Sequence, residues 1–353
     1  MTLSRRGRIA AIAGGVVALA VIAFIVLRIT RPSALRAIPG VGKALAPPPT
    51  CPLTGEKPKN DKVLDRPALA IKVENNPAAY PLSGLENADM VFEEVVEGGL
   101  SRFMAVYHCG DASSVGPVRS TRIVDPALMI PATKILADAG GNAIVLAHLK
   151  KEGIVSIDEN AAGSAMHRAD RPGYSFEHTL YGNTSLLRKL GEKKYSDTPP
   201  DGYFKFGDLP SGGKKAKSIS MTFESSSSTI GYTWQGGQYV RTDSGNPLVS
   251  ETDGGKQIGV DNVLIEFHTV DLSTKLSDVI GTPSPLIKDE TGSNKAVLFR
   301  DGKAFVGKWE RSSIDDPPTF VTKSGDDMVL HTGTTWIELL PDKKGEVNGT
   351  LSF

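Results

Sequence analysis

The stretch Gly116-Pro117-Val118-Arg119-Ser120-Thr121-Arg122 carries two guanidiniums and two hydroxyls within seven residues. A guanidinium offers a planar fork of N–H donors, so a loop built this way can clamp a carboxylate or phosphate through paired hydrogen bonds. Arg102, Arg119, Ser120, Arg122, Asn75 and Asn76 form the candidate ligand-binding set. The competing reading is structural. Glu93, Glu94 and Glu97 are available to tie those arginines into ion pairs.

Acid–base chemistry has less to draw on. On a strand, Glu93 and Glu97 would share a face but stand roughly 13 Å apart at about 3.3 Å per residue. Glycosidase carboxylates stand about 5–9.5 Å apart. Glu93 therefore needs a partner from elsewhere, and His178 in the loop Arg171–Asn183 is the best candidate, because loops often carry function. Glu93, Glu97 and His178 are thus the catalytic candidates. The six histidines never fall at a metal-ligand spacing, so neither a metal nor a cofactor is expected. Nucleotide-loop and hydrolase-elbow motifs are absent. Ser211-x-x-Lys214, Ser244-x-Asn246 and Lys323-Ser-Gly325 follow the order of penicillin-recognising enzymes. That serine should begin a buried helix, and here it sits in a Gly/Lys-rich linker.

The elements that must position these residues can be read from the pattern. Pro67–Val73, Met90–Val96 and Arg102–Cys109 read as strands, the last two joined as a hairpin through Glu97-Gly98-Gly99. Asp125–Ala139 reads as a helix that Pro131 can cut short, and Ala143–Leu149 as a buried strand. Asn183–Leu190 reads as a helix capped by Asn183 or Thr184. From about residue 218 the pattern is nearly all β. It comprises Ser218–Phe223, a hairpin over Tyr232–Arg241, a long strand Val260–Val270, and a hairpin turning at Asp301-Gly302. Phe320–Leu340 adds two or three more strands, and Trp309 and Trp336 read as core. The expected fold is α+β: an N-terminal mixed α/β domain (51–205), then a smaller, mostly β C-terminal domain (218–353).

Charge divides the chain further. The 353 residues hold 40 basic and 40 acidic side chains. Residues 1–28 contain four arginines and no acid, so residues 29–353 hold 36 basic and 40 acidic side chains, a net charge near −4. Such a balance gives no reason to expect a nucleic-acid partner. Ile9–Leu27 is a run of 19 residues without a charge, long enough as a helix to cross a bilayer. It reads as an uncleaved single-pass signal-anchor (1–28), with a Pro/Ala-rich spacer (29–50) after it. The membrane is then a partner through residues 9–27, and the body lies outside the plasma membrane. The two cysteines, Cys51 and Cys109, are an even pair in an exported body and are expected to form a disulfide.

Several of these stretches occur together. Pro52-Leu-Thr-Gly55, Asn75-Asn76-Pro77, Glu97-Gly98-Gly99, Ser101-Arg102-Phe103-Met104 and Gly116-Pro117-Val118-Arg119-Ser120 precede Gly307-Lys-Trp309 and Thr332-Gly-Thr-Thr-Trp336. In this the chain resembles the YerB-like bacterial lipoprotein family over about residues 51–345. The resemblance implies two domains on the outer face of the membrane and an unassigned activity. Two departures stand out. The chain lacks a lipobox beside its apolar run, and the family's His-Asn-Leu-Tyr appears as His178-Thr179-Leu180-Tyr181. The expected function is a membrane-anchored extracytoplasmic module that binds an anionic cell-envelope component or a partner protein through Arg102, Arg119 and Arg122. The alternative is an envelope hydrolase or transferase using Glu93 and His178 with an arginine clamp.

Overall fold

A computed structural model describes residues 48–194, 203–224, 227–278 and 280–353. The expected anchor (9–27) and nearly all of the spacer lie outside the described residues. Among the described residues no helix is long and apolar enough to cross a membrane.

Residues rich in β-branched and aromatic side chains build one large mixed sheet. Its N-terminal strands are β1 (Leu69–Asn75), β2 (Met90–Val95), β3 (Ser101–Tyr107), β4 (Ile135–Ala137) and β5 (Val155–Ile157). A second, smaller sheet contains β6 (Ser218–Thr222), β7 (Ile230–Gln235) and β8 (Gln238–Asp243). The chain then returns to the large sheet with β9 (Asn262–His268), β10 (Gly292–Arg300), β11 (Lys303–Arg311), β12 (Thr319–Thr322) and β13 (Thr335–Pro341). Finally, β14 (Thr350–Ser352) pairs with β6. The order across the large sheet is β12-β11-β10-β9-β13-β2-β3-β1-β4-β5. β13 runs parallel to both β2 and β9 and joins the two sequence halves into one continuous sheet.

Both faces of this sheet are covered. On one face, Val73, Phe103, Val263, Ile265 and Trp336 pack against Ile219, Tyr232 and Tyr239 of the small sheet. On the other, Ala70, Phe92, Met104, Leu264 and Ile337 pack against Leu128, Met129, Phe305 and Trp309. Trp309 and Trp336 are each 1 % exposed, as core residues should be. A disulfide joins Cys51 to Cys109, 58 positions apart in sequence. Thr50–Phe353 is a compact unit that contains both cores, the sheets and the disulfide. It therefore holds within itself what it needs to fold.

Two segments differ from the sequence expectation. Ala143–Leu149 is not a strand but the start of the helix Ala143–Lys151. Asn142 caps it by accepting the Ile144 N–H at 2.9 Å. Only Val145 and Leu149, one turn apart, are buried within it, so the apolar run is amphipathic. Asp125–Ala139 is not one helix. The helix ends at Met129, and Ile135–Ala137 joins β1 as a parallel strand. Pro131 lacks the N–H that a continued helix would use. The long strand expected over Val260–Val270 also ends earlier, at His268, and Val270 opens a separate hairpin. A further helix, Thr184–Glu192, is capped by Asn183 as expected.

Candidate functional site

Side chains alternate between the faces of a sheet, and residues opposite one another on neighbouring strands share a face. This places Glu74, Arg102 and Glu94 side by side across β1, β3 and β2. Glu93 points the other way, opposite Phe103 and beside Glu338 of β13. The sheet therefore carries two separate clusters of buried charge.

On the small-sheet side, Glu93 and Glu338 bracket Arg241. Its Nη1 lies 2.7 Å from Glu93 Oε2 and 3.2 Å from Glu338 Oε1. Tyr232 donates to Glu338, and Asn75 donates to Glu93 at 2.9 Å. Rings of Tyr232, Trp336 and Phe103 lie 5.2–5.6 Å from the guanidinium carbon. Burial pushes the Glu338 carboxyl well up, and Glu93 beside it pushes it further. One cation thus holds two carboxylates in a place closed to water.

The backbone of the arginine loop runs beside β1, bridging Val118 to Val73, and its charged side chains gather on the opposite face. Arg119 N–H donates to the Lys72 carbonyl at 3.0 Å, which fixes the loop against β1. Lys72 is fully buried between Glu94 (2.6 Å) and Asp125 (2.8 Å). Asp125 in turn accepts from Thr121 Oγ1 at 2.6 Å and Arg122 N at 2.7 Å. Burial raises the Glu94 carboxyl, against the pull of Lys72. Above this base stand the three arginines. Arg119 Nε lies 2.6 Å from Glu74 Oε2, and His178 Nδ1 lies 3.1 Å from the same oxygen. Arg122 pairs with Glu97, which also accepts from Ser284. Glu97 stands there because Gly98 and Gly99, at φ 70° and 73°, turn the chain tightly between β2 and β3.

Arg102 is different. It is 6 % exposed, donates to the Ser120 carbonyl at 3.0 Å, and makes no ion pair among the described residues. Its Nε is buried without a hydrogen-bond partner, as is that of Arg241. Burial lowers its pKa to about 9, with Arg122 and Arg119 pushing the same way against the pull of Glu74 and Glu97. Three guanidiniums thus lie close enough to repel one another. The outer two keep 26 % and 17 % of their side chains exposed.

The candidates read from the sequence divide between the two faces. Arg102, Arg119, Ser120, Arg122, Glu97 and His178 come together on one. Glu93 and Asn75 belong to the Arg241 cluster on the other. Asn76 caps a short turn by accepting the Ala78 N–H at 3.0 Å. Glu97 lies in the turn after β2 rather than on a strand. Glu93 and His178 therefore do not face a common reacting atom: Glu93 is held by Arg241, and His178 by Glu74. Lys72, Glu74, Asp125 and Arg241 are site residues that the sequence reading does not include. Arg241 has a usable signal, since it alternates in phase with the inward-facing Tyr239 and Asp243.

A polar cleft of about 490 Å³ lies elsewhere, lined by Glu86, Asp111, Thr252, Lys256 and Gln257 among others. Its inner carboxylates are already engaged. Glu86 accepts from Ser250, Thr252 and Asn87, and Asp111 from Arg66, Arg188 and Thr184. No residue spacing places a metal there, and among the described residues no group of His, Cys, Asp and Glu is suited to hold one.

The sequence places this chain in a family. Residues 53–197 match the N-terminal domain, and residues 219–337 the C-terminal domain, of the protein family of unknown function DUF3048. The chain belongs to that family. It is 26 % identical over 319 residues to a protein named "Putative lipoprotein YerB" from Bacillus subtilis (strain 168), covering 87 % of this chain and 89 % of that one. The crystal structure of YerB protein from Bacillus subtilis has the same fold. It matches with a TM-score of 0.69 and 24 % identity, over 86 % of this chain and all of that one. The family resemblance read from the sequence and the α+β fold are thereby borne out.

Proposed function

We propose that the protein is a non-catalytic, membrane-anchored extracytoplasmic module that binds an anionic component of the cell envelope at Arg102, Arg119 and Arg122. One observation carries this reading: Arg102 is buried beside two like charges and makes no ion pair among the described residues, the nearby Glu74 and Glu97 being paired to Arg119 and Arg122. A buried cation without an ion pair of its own is costly to the fold. An anion arriving between the three guanidiniums would relieve that cost and use donors of the kind that bind carboxylate and phosphate in pairs. Lys72, Glu94 and Asp125 hold the loop in position without entering the site. The lipoprotein name of the relative, and the apolar run at residues 9–27, support attachment at the membrane.

The hydrolase reading has less support, because Glu93 lies across the sheet from the arginine loop. Titration of the body (residues 50–353) with inorganic phosphate and with glycerol 3-phosphate, monitored by NMR, tests the binding reading. Binding is expected, with Arg102→Met weakening it at least tenfold. No binding, or equal binding by the variant, would overturn the reading.

A further inference from the structure

We propose that Lys72 and Asp125 join in an amide bond inside the folded protein, formed without any outside reagent and assisted by Glu94. The inference is independent of the anion-binding reading. The observation behind it is the place of the Lys72 side chain. Its Nζ lies 2.6 Å from Glu94 Oε1 and 2.8 Å from Asp125 Oδ1. Lys72 and Asp125 are 0 % exposed and Glu94 is 4 % exposed. Met104 stands opposite Lys72 on β3, and Val124 and Leu128, on either side of Asp125, are buried in the same core as Met104. An amine and a carboxyl group are thus held in contact where bulk water does not reach.

The neighbours of this pair suit a condensation. A lysine amine is a nucleophile once it has shed its extra proton. Glu94 is within reach to take that proton. Asp125 Oδ2 accepts from Thr121 Oγ1 at 2.6 Å and from the Arg122 N–H at 2.7 Å. Two donors on one oxygen polarise the carboxyl group and would steady the negative charge that this oxygen gains under attack. Oδ1 is held only by Lys72 among the described residues, which makes it the oxygen to leave.

The step balances within the three side chains. A bond forms from Lys72 Nζ to Asp125 Cγ, and the Cγ–Oδ1 bond breaks. The ammonium nitrogen gives up two of its three protons, both end on Oδ1, and Oδ1 leaves as water. Glu94 relays them, giving its own proton to Oδ1 as it takes one from Nζ, and ends as it began. Nothing is oxidised or reduced. Burial raises the Glu94 carboxyl, against the pull of Lys72, which favours the protonated form that the relay needs. A pocket of about 10 Å³ beside Glu94, lined by Arg122, Val124 and Ile287 among others, has room for about one water, the group that must leave. The dry surroundings favour the product. Two carboxyl groups around one ammonium are costly to bury as ions, and the amide replaces two of those charges with a neutral group. The bond would tie β1 to a helix start 53 positions further on, directly after the arginine loop.

The test is the intact mass of the body, residues 50–353, measured after reduction and unfolding. The wild type should be lighter than its sequence by one water, and a digest should yield a branched peptide that joins Lys72 to Asp125. Lys72→Met and Glu94→Gln should keep the full mass. Asp125→Asn should be lighter by one ammonia, which would leave in place of water. A wild type of full mass would overturn the inference. A loss of water that persists in Lys72→Met would overturn it too, since that marks a cyclised aspartate and not a cross-link. The branched peptide decides the matter even if Lys72→Met does not fold. A bond that still forms in Glu94→Gln would overturn the part given to Glu94.

Discussion

The two faces of the large sheet solve the same problem differently. On one, Arg241 has two carboxylates, three aromatic rings around it and no exposure. On the other, Arg102 has a single carbonyl and two neighbouring cations, and the carboxylates near it, Glu74 and Glu97, are paired to Arg119 and Arg122. Both cations are buried to nearly the same degree, so burial alone does not distinguish a structural arginine from a candidate binding one. What distinguishes them is the charge around them. Arg241 ties residues of β2, β7, β8 and β13 together, which is a structural role. Arg102 is left with a deficit that a ligand could fill.

The largest effect should come from breaking the closed cluster. Arg241→Met leaves Glu93 and Glu338 buried without a cation and should lower stability by roughly 3–5 kcal/mol, read as a fall in the urea midpoint, with phosphate binding unchanged in whatever protein remains folded. Next is a third buried charge, His268, set between Glu266 and Asp289 at 3.3 Å each and stacked on Trp309. Burial alone would lower its pKa, but the hydrogen bonds it donates to Asp289 and Glu266 outweigh this and raise it to about 9. Its folded pKa is above its unfolded one, so its contribution is complete below about pH 6.5 and is lost as pH rises through 9. Stability measured from pH 6 to pH 10 should fall by roughly 3 kcal/mol from this group, and His268→Gln should flatten the profile. On the open side, Arg102→Met should change stability by less than about 1 kcal/mol, or raise the melting temperature, because it removes an unpaired charge. The same variant should abolish phosphate binding. A large destabilisation would show that Arg102 is structural after all. Smallest in stability is Glu97→Gln, at about 0–1 kcal/mol for a partly exposed pair. It frees Arg122, so phosphate should bind more tightly.

Legibility in the sequence tracks the range of the signal. The β2–β3 hairpin, the Asn183 cap, the Asp301-Gly302 turn and the gathering of Arg102 with the arginine loop all depend on local pattern, and each is readable. Ala143–Leu149 reads wrongly as a strand because a short apolar run has no period that separates a buried strand from a helix. The Asn142 cap is the clue that points the right way. The division of Glu93 from Glu94 between faces comes from strand alternation. The sequence does not reveal which neighbour each meets, since Arg241 and Glu338 lie more than a hundred residues downstream. The lack of a partner for Arg102 is likewise a property of the assembled sheet, and no local pattern encodes it.

The central place of β13 also shapes how the chain reaches this state. The strand sits between β2 and β9, though more than two hundred residues separate it from β2. Until residues 335–341 arrive, β2 and β9 each present an open edge, and Glu93 lacks its neighbour Glu338. Pairings this distant in sequence make folding slow, because the loop must close before any contact rewards it. A chain emerging from its N-terminus would remain without its central strand until almost all of it had emerged.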